Sequence, residues 1–314
     1  MFIEFQLVKL DGIHHISAIT GDAPGNVEFY AGVLGLRMVK RTVNQDEPNV
    51  YHLFYGDEQG SPGMDLTFFE YPGAPRGQAG AGMVHRILWR VSSERSLEFW
   101  RERLAAAGVA AELGKGSLLF SDPEGLHHEL VASSATDEPL SARSPEIPSE
   151  HALQGFEGVR AYSTAPVNSE RLLGEGLGFT RTEGERWEVR GERRGSFYVY
   201  DEAPPEALAG QGAGTVHHVA FAARAADEEA WRSRVADAGA HPTHVIDRFY
   251  FRSVYFREPS GVLFEIATIG PGFAVDEDPD TLGERLSLPP RFETLRQRLE
   301  GILTPLPYPR AGSS

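Results

Sequence analysis

Apolar positions fall into four similar blocks along the chain. Each opens with a strand-like run, continues with a stripe of helical period closed by glycine, and, where the pattern is readable, returns to strand-like runs. In the first block a strand is predicted over 12–19. A helix over 26–34 follows, with Val27, Phe29, Tyr30 and Val33 apolar and Gly35 as the stop. Strands are then predicted over 37–42, 51–55 and 64–71. The second block has a strand over 84–91, a helix over 96–107 with Leu97, Trp100 and Leu104 on one stripe, and strands over 117–121 and 127–131. The third starts at 158–162, with a helix near 168–175. The fourth starts at Val216, with a helix over 226–238 and strands over 249–256 and 262–268.

Direct self-similarity supports a repeat. Residues 118–130 (LLFSDPEGLHHEL) lie beside 254–266 (VYFREPSGVLFEI): strand, Pro-Gly turn, strand, with a glutamate at the same place. The predicted class is therefore α+β, four βαβββ modules forming two tandem halves, 1–140 and 151–270. The stretch 133–150, rich in Ser, Pro and acidic residues, links them. A tail follows over 271–314. Its stripe of Phe292, Leu295, Leu299 and Ile302 predicts one helix over 291–303, expected to pack on the second half.

Bulk properties narrow the chemistry. With 314 residues, 41% hydrophobic and 24% charged, the chain suits two domains with real cores. No apolar run is long enough to span a membrane. The start, Met1-Phe2-Ile3-Glu4, lacks the features of a signal peptide, so cytoplasm is the expected compartment. The absence of cysteine removes disulfides, thiolate catalysis and thiolate-ligated metals. A net charge of -15 argues against nucleic-acid binding.

Histidine pairs stand near the start of two strands, His14-His15 and His217-His218, and Glu265 sits within an apolar run. Neighbouring strand residues point to opposite faces. His14 shares a face with Ile16 and Ala18, and His15 with Ser17. His217 shares one with Val219 and Phe221, and His218 with the small Ala220 and Ala222. Bulky apolar residues suit the packed face and small or polar ones a cavity, which favours His15 and His218 as ligands, completed by Glu265. The bland alternative is two hydrogen-bonded core histidines and an edge carboxylate. It leaves a carboxylate deep in an apolar run, a cost that a metal removes. Two imidazoles and one carboxylate suit a mononuclear iron site with open positions, and they also suit Zn, Mn or Ni. At the positions taken as equivalent, the second module has His85-Arg86 and the third Arg160-Ala161, and only Glu129 remains. Modules one and four are therefore expected to pair around the metal, with Arg86 neutralising Glu129 and no second metal.

Paired βαβββ modules with these histidines and this glutamate resemble the vicinal oxygen chelate superfamily, which includes glyoxalases, bleomycin-resistance proteins and extradiol dioxygenases. Residues 247–259 (DRFYFRSVYFREP) and 39–44 (VKRTVN) look like those of hydroquinone-cleaving dioxygenases. The resemblance implies Fe(II) on His15, His218 and Glu265, and O2 insertion into a hydroquinone-like aromatic. Cleavage falls beside a hydroxylated carbon. It also implies that Tyr255, Arg248, His14, His217 and Ser17 surround the substrate or the ligands. Strict alternation puts Arg248 and Tyr255 on opposite faces, so both line the site only if a turn or bulge intervenes. A catechol substrate is the nearest alternative. A glyoxalase-type isomerase or lyase would want a fourth protein ligand, and Glu70 lies too near the end of its strand. A non-catalytic aromatic-binding protein would not need the three ligands together. A homo-oligomer fits the resemblance.

Overall fold

The computed structural model describes residues 8–204 and 209–307. Each block forms one strand, a helical segment and three further strands. Module one holds β1 (Ile13–Thr20), β2 (Arg37–Val43), β3 (Tyr51–Gly56) and β4 (Asp65–Glu70). Module two holds β5 (Val84–Val91), β6 (Ala111–Leu113), β7 (Ser117–Ser121) and β8 (His127–Ala132). Module three holds β9 (Phe156–Ser163), β10 (Thr180–Arg181), β11 (Arg186–Arg190) and β12 (Gly195–Glu202). Module four holds β13 (Thr215–Ala223), β14 (Ile246–Asp247), β15 (Arg252–Arg257) and β16 (Leu263–Thr268).

The helical segments differ in quality for local reasons. In the first, α1 (Ala23–Val27) runs into wider π-helical turns over Glu28–Val33. Asp22 caps it by accepting from the Gly25 amide at 3.2 Å. In the second, α2 (Glu94–Ala106) buries Leu97, Trp100 and Leu104 on one stripe. Gly108, at φ 75°, lies just past its end. The third module has only two short pieces, Pro166–Ser169 and Leu172–Gly176. The fourth has α3 (Glu228–Asp237), which buries Trp231 and Val235.

Two eight-stranded sheets result. One runs β14-β15-β16-β13-β1-β4-β3-β2, the other β10-β11-β12-β9-β5-β8-β7-β6. Modules one and four thus share a sheet, as expected from the candidate ligands on their strands, and modules two and three share the other. At the first seam β1 and β13 are antiparallel, and each is flanked by the parallel closing strand of its own module. The matched hairpins are closed alike. Asp122 accepts from the amides of Glu124 and Leu126, and Glu258 from those of Ser260 and Val262.

The tail departs from expectation. Its α-helix, α4, is shorter (Arg296–Ile302), preceded by a 3-10 stretch over Pro290–Leu295. The segment before it packs on module one as well as on module four, where Tyr250 donates to Asp276 at 3.0 Å. One tie to module one is electrostatic: Lys40 on β2 is fully buried and needs anionic partners. Its Nζ donates to Asp276 at 2.8 Å and to the Phe273 carbonyl at 3.0 Å, and pairs with Glu277. Arg291 and Arg298 then reach Gln45 and Asn49 at 2.6 and 3.0 Å. No helix among the described residues is long and apolar enough to cross a membrane.

Candidate metal centre

Strand register places the three candidate ligands on one face. His15 lies beside Ala220, and Ala220 beside Glu265; Ser17 lies beside His218. The small side chain of Ala220 leaves the space into which the longer ones converge. His15 Nε2 and His218 Nε2 are 3.2 Å apart. Glu265 Oε2 is 3.2 Å from the first and 2.9 Å from the second. All three residues are buried. A cation bound at about 2.1 Å by three ligands at right angles would hold donor atoms about 3 Å apart, so the spacing fits. A further observation agrees. Glu265 Oε1 accepts from Ser253 Oγ at 2.5 Å, whereas Oε2 is buried without a partner of hydrogen-bonding geometry. Among the described residues, this is the one group of three such side chains arranged to hold a metal.

Burial opposes ionisation of Glu265, yet the adjoining His15 and His218 hold its carboxyl well below the usual range. His218 is itself lowered by burial, which keeps it in the neutral, ligating form. Each remaining histidine backs a ligand. His14 Nδ1 lies 3.0 Å from His15 Nδ1, and His217 Nδ1 2.8 Å from His218 Nδ1. Burial and the neighbouring His15 push His14 down to about 3, so it is neutral and free to accept. His217 is exposed, while His14 is buried and lies 5.3 Å from the Phe251 ring.

The strand predicted over 249–256 begins only at Arg252. Before it the chain turns: the Arg248 amide donates to the Phe251 carbonyl at 2.9 Å, and Phe249 takes φ 69°. This turn swings Arg248 back over Tyr255, so that both line one cavity. Arg248 Nε lies 3.3 Å from Tyr255 Oη, and its Nη1 pairs with Asp46 at 2.8 Å. Tyr255 stands opposite Glu265 in register, its ring 5.8 Å from that of His218. Burial and Glu265 raise the Tyr255 phenol, so it stays a donor. Ser17 is buried and bonded to Thr67 Oγ1 at 2.7 Å. The cavity encloses about 310 Å³ and is walled by Phe54, Phe69 and Phe251.

Sequence reasoning missed three groups here. Ser253 fixes the glutamate, Asp46 anchors Arg248, and His52, bonded to Thr67, lines the far wall. Alternation could have flagged Ser253, two residues from Tyr255. Nothing local marks a lone histidine in Tyr51-His52-Leu53-Phe54.

The other sheet corrects one equivalence. In register, Glu129 lies beside Leu88 and Leu88 beside Gly158, as Glu265 lies beside Ala220 and Ala220 beside His15. The counterpart of His15 is therefore Gly158, and Arg160 matches Ser17; setting Arg160-Ala161 against His14-His15 was three residues out. Arg86, the counterpart of His218, pairs with Glu129 at 3.0 Å.

Family comparison agrees with this architecture. The model of the glyoxalase/bleomycin resistance protein/dioxygenase superfamily matches residues 12–130 and 110–266. The chain belongs to that superfamily. It is 38% identical over 318 residues to MhqA of Bacillus subtilis (strain 168), to which ring-cleaving dioxygenase activity is ascribed, covering 95% of this chain and all of that one. It is 31% identical over 320 residues to the chlorohydroquinone/hydroquinone 1,2-dioxygenase of Sphingobium indicum, covering 93% of this chain and 95% of that one. The crystal structure of a dioxygenase candidate from Bacillus subtilis superposes with a TM-score of 0.88 at 38% identity, covering 96% of this chain and 99% of that one.

Proposed function

We propose that the chain is an Fe(II)-dependent ring-cleaving dioxygenase that inserts O2 into a hydroquinone-like aromatic. The observation that carries this reading is the convergence of His15, His218 and Glu265, the two histidines lining an aromatic-walled cavity. The named activities of the relatives point the same way. Bound there, iron supplies the electron transfer between an aromatic diol and dioxygen that organic side chains cannot.

The chain's own residues do the rest. His14 and His217 accept from Nδ1 of the two ligands, which fixes the tautomer that turns Nε2 inward. Ser253 holds Oε1 of Glu265, which leaves Oε2 for the cation. Tyr255 remains a phenol and donates to a substrate oxygen. Arg248, tied to Asp46, sets the position of Tyr255 and offsets anionic charge on the substrate. Phe54, Phe69 and Phe251 enclose the ring and exclude water.

A glyoxalase-type isomerase lacks its fourth ligand here. Glu70 follows Phe69 on β4 and accepts from the Ala23 amide at 3.3 Å, away from the donor cluster. The test is oxygen uptake by protein loaded anaerobically with Fe(II) and offered hydroquinones and catechols. Uptake of one O2 per hydroquinone, at about one iron per chain, is expected. Bound iron with no uptake on either diol class would refute the dioxygenase reading.

A further inference from the structure

The cavity has two polar flanks. Tyr255 and Arg248 stand on the β15 side. On the β3–β4 side His52 is held between two aromatic rings, its centroid 4.0 Å from that of Phe54 and 4.2 Å from that of Phe69. Its Nε2 meets Thr67 Oγ1 at 2.9 Å, and Thr67 Oγ1 meets Ser17 Oγ at 2.7 Å. Ser17 lies beside His218 in register. An unbroken hydrogen-bonded row therefore joins His52 to the edge of the donor cluster.

His52 Nδ1 has no hydrogen-bond partner among the described residues. Several other polar side chains along the cavity are committed: Gln45 to Arg248 and Arg291, Asp46 to Arg248, and Tyr250 to Asp276. Among the described residues Thr42 Oγ1 also lacks a hydrogen-bond partner, but it is fully buried on β2, one strand farther from the cluster than His52. His217 also has a nitrogen to spare, but it is exposed. A polar nitrogen on the wall of an aromatic pocket, held rigidly and left unpaired, calls for a polar group on the ligand. The spacing fits a ring. His52 is two strands from β1, about 10 Å between backbones, and one six-membered ring fits between side chains reaching inward from each.

We infer that His52 is a specificity-determining residue: its Nδ1 hydrogen-bonds the hydroxyl of an aromatic diol that is remote from the His15–His218–Glu265 cluster. This rests on the diol-cleaving reading above. A para-diol places one oxygen at the cluster and the other at His52. An ortho-diol places both at the cluster and leaves His52 unpaired. The Thr67–Ser17 row fixes the imidazole, so that the same residue that selects the substrate is oriented from the metal side.

The test measures binding of hydroquinone and catechol to the Fe(II)-loaded protein under anaerobic conditions, by calorimetry, with iron content and melting temperature in parallel. His52→Phe should lose about tenfold in hydroquinone affinity with catechol changed less than about twofold, the scale of one hydrogen bond. His52→Gln should recover part of the loss, and it keeps the test valid should the phenylalanine variant fail to fold. Equal losses for both diols, or no loss for hydroquinone, would overturn the assignment. Wild-type protein that binds hydroquinone but consumes no O2 would refute the dioxygenase reading while His52 is still judged by the affinity ratio. Wild-type protein that binds neither diol would overturn both.

Discussion

The two sheets of this molecule share a topology and differ in what they carry. In the sheet of modules one and four, corresponding positions hold His15, His218, Glu265 and Tyr255. In the sheet of modules two and three, register puts Gly158, Arg86, Glu129 and Leu119 there. The glutamate survives in both, but its environment is opposite. Glu265 is fully buried with one oxygen facing the two imidazoles, whereas Glu129 is partly exposed and neutralised by Arg86. Gly158 explains why the second site cannot be regained by a single change. A Cβ there would lie 2.2 Å from the Phe197 carbonyl oxygen on the adjoining strand. The fold supplies the scaffold twice, and among the described residues the side chains form a cluster that could hold a metal once.

Substitutions at matched positions should separate the two sheets. The largest effect is expected for His218→Ala, which should lower metal affinity more than about a hundredfold, beyond what loss of an outer hydrogen-bond partner does. Arg86→Ala at the matched position should leave metal stoichiometry unchanged, as read by elemental analysis after dialysis. Next is Tyr255→Phe, expected to lower kcat by about a hundredfold with iron content intact, the scale of a lost proton donor; its counterpart Leu119→Ala should leave kcat alone. Gly158→Ala should cost about 1–3 kcal/mol through forced backbone shifts, visible as a lower denaturant midpoint. The smallest effect belongs to Arg86→Ala on stability. Because Arg86 and Glu129 keep 26% and 15% of their side-chain surface exposed, about 1 kcal/mol or less is expected.

How far the sequence could be read depended on whether a feature was periodic or geometric. The four modules, the pairing of the first with the fourth, and the inward choice among adjacent histidines all followed from alternation and repeat. Short edge strands such as β10 and β14, two residues each, carry too little pattern to be seen. The turn at Arg248–Phe251 depends on Phe249 adopting a left-handed conformation, which bulky residues seldom do, so a continuous strand was the natural reading. The displaced equivalence in module three has a similar origin. Both central seams carry register shifts, and a match by residue type cannot count across them. The tail's contact with module one was missed because nothing local marks Asp276 and Glu277 as the partners of the buried Lys40.

The central claim is that a single metal sits between β1, β13 and β16 and that the other sheet holds none. Anomalous diffraction from crystals of the Fe(II)-loaded protein tests it directly. One peak per chain is predicted, bounded by His15 Nε2, His218 Nε2 and Glu265 Oε2, with none beside Glu129. A peak at Arg86–Glu129, or none at the three-residue cluster in iron-loaded protein, would contradict the account.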